Sequence, residues 1–193
     1  MNKKIAVYCS SSDMLEDSYY AAAHDMGALM VKHGYDLVFG GSNVGLMGTI
    51  ARAVQSHGGK VTGVIPEFMH KRGIAYEASN ELIVTADLRE RKKIMENRAD
   101  AFIAMPGGFG TLEEILEVLA LKQLQSHTKP VIFLNVNGFY DPIAAFFELL
   151  YQRRFAKEDH RNMYFVAESC ESVFEFLGNY TPGLATSKWT GVN

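Results

Sequence analysis

The stretch Ala101-Phe102-Ile103-Ala104-Met105-Pro106-Gly107-Gly108-Phe109-Gly110-Thr111-Leu112-Glu113-Glu114 decides the fold. Its short apolar run suits a strand buried within a parallel sheet. The glycines that follow let the backbone turn sharply, and a helical pattern begins near Leu112. Strand, glycine loop and helix make a phosphate-binding layout: backbone N–H groups approach an anion, and the helix N-terminus adds about half a unit of positive charge. Thr111 can cap this helix or bond a phosphate oxygen. A tight turn with a capped helix also accounts for the segment, because Thr111 and Glu114 match a capping box.

Working outward, short β-branched or aromatic runs recur at Ile5 to Tyr8, Asp36 to Phe39, Lys60 to Ile65, Glu81 to Thr85, Val131 to Leu134 and Met163 to Val166. Helical patterns separate them at about Asp17 to His33, Val44 to His57, Leu88 to Asn97, Leu112 to Gln125, Asp141 to Arg153 and Ser169 to Tyr180. This alternation predicts a Rossmann-like, doubly wound α/β fold with a mainly parallel sheet of about seven strands flanked by helices. One domain is expected over residues 1–180, followed by an extended or frayed tail over residues 181–193. Residues 67–76 lack clear periodicity and read as a loop or short helix, serving either as a substrate lid or as a surface connection.

At 193 residues, with 48% hydrophobic and 21% charged side chains, the chain suits one soluble core without disulfide or metal support. A formal net charge of −3 gives no support for a general nucleic-acid or anionic-membrane surface. Cys9 and Cys170 form no CxxC pair, which fits a reducing compartment. No signal peptide and no apolar run of roughly 18 residues is present, so a cytoplasmic location is expected. The histidines at 24, 33, 57, 70, 127 and 160 show no HExxH or HxH spacing, and no metal is expected.

Two further loops end strands. Gly40-Gly41-Ser42-Asn43-Val44-Gly45-Leu46-Met47-Gly48 lacks both the GxGxxG fingerprint and a Walker lysine; its glycines either meet a ligand or allow close packing against the first strand. Cys9-Ser10-Ser11-Ser12 closes the first strand, and all three loops are expected on one edge of the sheet. The charged run Asp87-Leu88-Arg89-Glu90-Arg91-Lys92-Lys93 is a solvated helix face or part of a site; Arg91 shares a face with Asp87 and Met95 while Arg89 points elsewhere.

In combination these segments resemble the LOG ("lonely guy") family of cytokinin riboside 5′-monophosphate phosphoribohydrolases. The family's PGGxGTxxE motif reads as Pro106 to Glu114, its MHxRK motif as Leu88 to Lys92, and its GLMG as Gly45 to Gly48. Gln123-Leu124, His127, Lys129-Pro130 and Asn135 to Tyr140 extend the likeness over about residues 4–155. The resemblance implies cleavage of the N-glycosidic bond of an adenine-type nucleoside 5′-monophosphate to free base and ribose 5-phosphate. It puts the catalytic arginine on Arg91 and the catalytic glutamate on Glu114. Lys92, Gly107, Gly108, Gly110 and Thr111 would hold the phosphate, and Ser10, Gly41, Gly45 and Leu88 complete the expected substrate-binding set. A carboxylate beside the anomeric carbon suits an oxocarbenium-like transition state.

Leu88-Arg89 stands where the family often has Met-His, Leu121 where it usually has tryptophan, and Ser42-Asn43 where it has glycine-serine. These departures bear on the base pocket, so plain AMP is a candidate substrate beside cytokinin nucleotides. Family members have carried the label lysine decarboxylase, but no Schiff-base lysine with a pyridinium partner is discernible, and no cofactor is expected. A non-catalytic nucleotide carrier or sensor, or a molybdenum-cofactor carrier of the same fold, is the competing reading. The apolar helix Leu112 to Leu121 predicts a homodimer interface or a buried core helix.

Overall fold

A computed structural model describes residues 2–183, so most of the expected tail, from residue 184 onward, lies outside the described residues. In chain order the elements are β1 (Lys3–Tyr8), α1 (Asp17–Lys32), β2 (Tyr35–Phe39), α2 (Gly45–Ser56), β3 (Val61–Pro66), α3 (Glu67–His70) and β4 (Glu81–Thr85). They continue with α4 (Leu88–Arg98), β5 (Ala101–Ala104), α5 (Phe109–Gln123), β6 (Val131–Leu134), α6 (Asp141–Gln152), β7 (Phe165–Ala167) and α7 (Cys170–Asn179). The seven strands form one parallel sheet in the order β4-β3-β2-β1-β5-β6-β7. The Rossmann-like arrangement expected from the alternating pattern is therefore present.

The strand side chains alternate between two cores. Ile5, Val7, Leu37, Phe39, Ile103 and Ile132 face α1, α2 and α7, where Met26, Met30, Ile50 and Val173 cover them. Ala6, Tyr8, Val38, Phe102 and Phe133 face the opposite layer, against Met95, Ile115, Val118 and Phe147 of α4, α5 and α6. Burial of each such large apolar side chain contributes roughly 1.5–3 kcal/mol. Strands buried on both faces explain why β1, β5 and β6 read as continuous apolar runs.

The order reverses at β1. Winding proceeds outward through β2, β3 and β4 on one side and through β5, β6 and β7 on the other, so the loops after β1 and β5 part to opposite faces and leave a crevice between them. The two loops are pinned at their roots, where Met105 N donates to Tyr8 O at 2.9 Å and Ser10 N donates to Pro106 O at 3.1 Å.

Two of the boundaries that differ from the sequence reading bear on local structure. Helix α5 begins at Phe109, with Gly108 as its extended N-cap and no side chain capping it. The Thr111–Glu114 capping box therefore does not form: Thr111 already lies inside the first turn, because the flexible glycine takes the cap position. Strand β7 starts at Phe165, since the Glu158–Met163 stretch winds into a 3-10 helix that buries Met163. Residues 67–76 form the four-residue α3 followed by a loop, within the loop-or-short-helix reading of the sequence.

Candidate active site

A cleft of about 450 Å³ opens over the carboxyl ends of β1, β2 and β5. Ser10, Ser11 and Ser12 of the loop after β1 line it beside Gly108, the N-cap of α5, and Gly110 and Thr111 of its first turn. Arg91 and Glu114 form its charged centre, and Met47, Met69, Leu88 and Phe109 bring apolar surface.

Helix α4 is polar on most sides, and Arg91 and Met95 are its buried residues, the i, i+4 pair that share one face. Its N-terminus is fixed by Asp87, whose carboxylate accepts from Arg89 N at 2.8 Å and Glu90 N at 2.9 Å. From that face the Arg91 side chain crosses to the sheet: Nε donates to Val64 O at 3.0 Å, and Nη1 donates to Glu114 Oε1 at 2.6 Å. The residues are 8% exposed each, so the ion pair is nearly desolvated. Burial pushes the Glu114 carboxyl above the usual carboxylate range, against the opposing pull of the Arg91 guanidinium. Gly40 makes the arrangement possible, because a methyl group at that position would overlap Arg91 Nη2 and sit 3.0 Å from Met47 Sδ.

The two glycine loops that open helices differ in where their N–H groups go. At α2, Gly45 N donates to Asp13 Oδ1 at 2.8 Å and Leu46 N to Ser10 O at 3.0 Å. At α5, no side chain caps the helix, and its N-cap Gly108 and the first-turn residues Gly110 and Thr111 line the cleft. Of the two, the α5 terminus is the one with donors open to an anion. Gly45 is instead a packing residue: its φ of 59° favours glycine, and an added Cβ would lie 2.6 Å from the Ser11 carbonyl carbon and 2.7 Å from Ser10 O. Gly45→Ala is expected to cost about 2 kcal/mol through strain and overpacking. Chemical denaturation checks this, and an unchanged midpoint would contradict the packing role.

Of the residues singled out from sequence, Ser10, Leu88, Arg91, Gly108, Gly110, Thr111 and Glu114 come together on the cleft wall. Gly41, Gly45, Lys92 and Gly107 do not line it. A side chain on Gly41 would press on Ile65, and one on Gly107 would collide with Thr111, so both sit against protein. Lys92 is held on the outer side of α5 by Glu113 and by Glu117 at 2.8 Å. Sequence reasoning passed over Gly40, Met47, Met69 and Phe109 as individual lining residues. Met47 lay inside the GLMG motif and Met69 inside the aperiodic stretch read as a lid, but neither side chain carries a chemical signal that spacing could pick out. Among the described residues no lysine lines the cleft, so it offers no Schiff-base anchor for pyridoxal phosphate.

A family model described as "Possible lysine decarboxylase" matches residues 47–177. The cytokinin riboside 5′-monophosphate phosphoribohydrolase LOG of Oryza sativa subsp. japonica is 42% identical over 180 residues, covering 93% of this chain and 74% of that protein. The enzyme of the same name designated LOG5 in Arabidopsis thaliana is 39% identical over 191 residues, covering 97% of this chain and 84% of its own. Among solved structures, the molybdenum cofactor binding protein of Rippkaea orientalis superposes with a TM-score of 0.69 at 26% identity, covering 92% of this chain and 96% of that one. The molybdenum cofactor carrier protein of Chlamydomonas reinhardtii gives the same TM-score at 20% identity, over 92% and 97% of the two chains, a likeness of fold.

Proposed function

The chain belongs to the LOG family of cytokinin riboside 5′-monophosphate phosphoribohydrolases, and on that premise we propose that it hydrolyses the N-glycosidic bond of adenine-type nucleoside 5′-monophosphates. AMP and N6-prenylated AMP are the substrates, and free base and ribose 5-phosphate are the products. One observation carries this reading: a buried Arg91–Glu114 pair stands in the same cleft as an uncapped helix N-terminus.

The phosphate is taken by the open N–H groups of α5, with Thr111 beside them. Glu114 lies one helical turn beyond Thr111, which brings its carboxylate beside the sugar rather than the phosphate. As the C1′–N9 bond breaks, its electron pair leaves with the base and positive charge grows on the ribose ring, where the Glu114 carboxylate stabilises it. Water then supplies hydroxyl to C1′, and the proton it gives up ends on the departing base. Arg91 holds Glu114 through Nη1 and is itself held at Val64 O through Nε. The remaining edge of its planar fork is free to orient the ribose phosphate.

The proposal has a pH signature. Only ionised Glu114 stabilises the developing cation, and burial raises the pH at which it ionises. Turnover is therefore expected to be intact on the alkaline side and to fall with acid at a pH above the ordinary glutamate value of about 4.3. A rate profile flat down to that value would contradict the assignment.

The decisive experiment incubates the metal-free protein with AMP and with isopentenyladenosine 5′-monophosphate and follows free base and ribose 5-phosphate by chromatography. Base from either nucleotide supports the hydrolase. Binding with no base from either would move the reading to a sensor or to a carrier, the latter being the role named for the molybdenum cofactor carrier protein of similar fold.

A homodimer is part of the same proposal. Leu116, Leu124, Phe146, Leu149 and Phe155 leave apolar surface exposed along α5, α6 and the turn after α6, whereas Val118 and Leu119 of α5 are buried. A reducing cytoplasm suits the two free, buried thiols Cys9 and Cys170. No helix among the described residues is long and apolar enough to cross a membrane.

A further inference from the structure

We infer that Met69, carried by the short helix α3, is the side chain that distinguishes an N6-alkylated purine from plain adenine, an assignment that rests on the hydrolase reading above. The sheet order sets the direction of the substrate. Its phosphate site lies at the head of β5, and the cleft runs from there over β1 and β2 toward β3, three inter-strand steps or about 14 Å. Glu114 and Arg91 occupy the middle, with Arg91 bonded to Val64 O of β3. A nucleotide anchored by its phosphate on α5, with its anomeric carbon at Glu114, thus extends its base toward the β3 side.

Three side chains from three elements meet that end: Met47 from α2, Met69 from α3 and Leu88 from α4. None carries a strong hydrogen-bonding group, so side chains there read the edge of the purine by apolar contact and shape. Unbranched thioethers adapt to substituents of different shape at little cost. Of the three, Met47 is almost fully buried against Gly40 and the core, and Leu88 stands on a helix end fixed by Asp87. Met69 follows directly after β3, three strands from the phosphate site at β5, on a helix of only four residues.

The position of Met69 is set by its surroundings. On one side α3 continues β3 without a gap. On the other, the chain returns to the second glycine loop, where Asn43 N donates to Ile74 O and Tyr76 N to Gly41 O, both at 2.8 Å, and Ser42 bridges Ala75. The neighbouring Phe68 is half exposed and carries the Arg72 guanidinium 6.0 Å from its ring centre, while Met69 lines the cleft. The second glycine loop, whose helix donors are already used, thereby acts as the mount for this wall.

The test compares the native protein with Met69→Ala and Met69→Leu, using AMP and isopentenyladenosine 5′-monophosphate. Both kcat/KM and the dissociation constant of each nucleotide are measured, and thermal unfolding verifies that the variants fold. Loss of a few methylene-sized groups from an apolar wall is expected to lower the prenylated-to-plain preference about tenfold in the alanine variant. Leucine should restore most of it. An unchanged preference in Met69→Ala, in rates and in binding alike, overturns the inference. Failure of the native protein to release base from either nucleotide would overturn the hydrolase reading instead, and the ratio of dissociation constants would still decide the role of Met69.

Discussion

Glu114→Gln is expected to lower turnover of AMP by about 10²–10⁴ while leaving nucleotide binding nearly intact. The amide keeps the shape of the carboxylate and can still accept from Arg91 Nη1, so the geometry at 2.6 Å has a replacement partner. What disappears is the negative charge facing the sugar when the glycosidic bond breaks. Because the pair is buried, that charge acts in a medium that screens it poorly, and its loss is correspondingly large. In the proposed binding mode the phosphate rests on the α5 N–H groups, which the substitution does not touch. Initial rates of base release beside calorimetric binding check both halves; full turnover with normal binding would refute the mechanism. The residual rate should also lack the acid limb that belongs to Glu114.

Arg91→Ala is expected to do more harm to the fold than to any single contact with substrate. It removes the partner of a desolvated carboxylate, and breaking a buried pair from one side typically costs about 3–5 kcal/mol. It also leaves Val64 O without its Nε donor and opens space beneath Gly40. Activity is expected to fall with stability, since Glu114 loses the group that orients it. Urea unfolding provides the first measurement and base release the second. Arg91→Lys separates the two roles: it restores charge but not the planar fork, so stability should recover further than turnover. A variant lacking Arg91 with native stability would contradict the geometry described.

These predictions lean on residues that the sequence marked clearly. The strand, glycine loop and helix around Pro106 to Gly110 were legible because a buried parallel strand cannot alternate and because the loop has so few side chains. Arg91 was singled out by the family resemblance, since the charged run alone reads equally as a solvated face; the structure buries it on one face of α4 with Met95. The second glycine loop was ambiguous for a physical reason: a glycine required by packing and a glycine required by a ligand look alike until the destinations of the N–H groups are known. Asp13 and the Ser10 carbonyl supply those destinations for Gly45 and Leu46, and they come from another part of the chain. Lys92 shows the same limit, because its neighbours Glu113 and Glu117 lie on a different helix. The Met47, Met69 and Leu88 wall depends on three elements converging, which no local pattern encodes.

The reversal of strand order at β1 also has a consequence for how the chain acquires its chemistry during synthesis. The first strand made is the central one, and it remains open along one side until β5 emerges roughly a hundred residues later. The half built from β1 to β4 includes the carbonyl that receives Arg91, but the carboxylate that completes the pair arrives only with α5. The Arg91–Glu114 contact can therefore form only once β5 has emerged to join the two halves of the sheet at β1. The proposed catalytic pair spans the seam of the fold, and a nascent chain can assemble it only after its innermost strand has a partner on both sides.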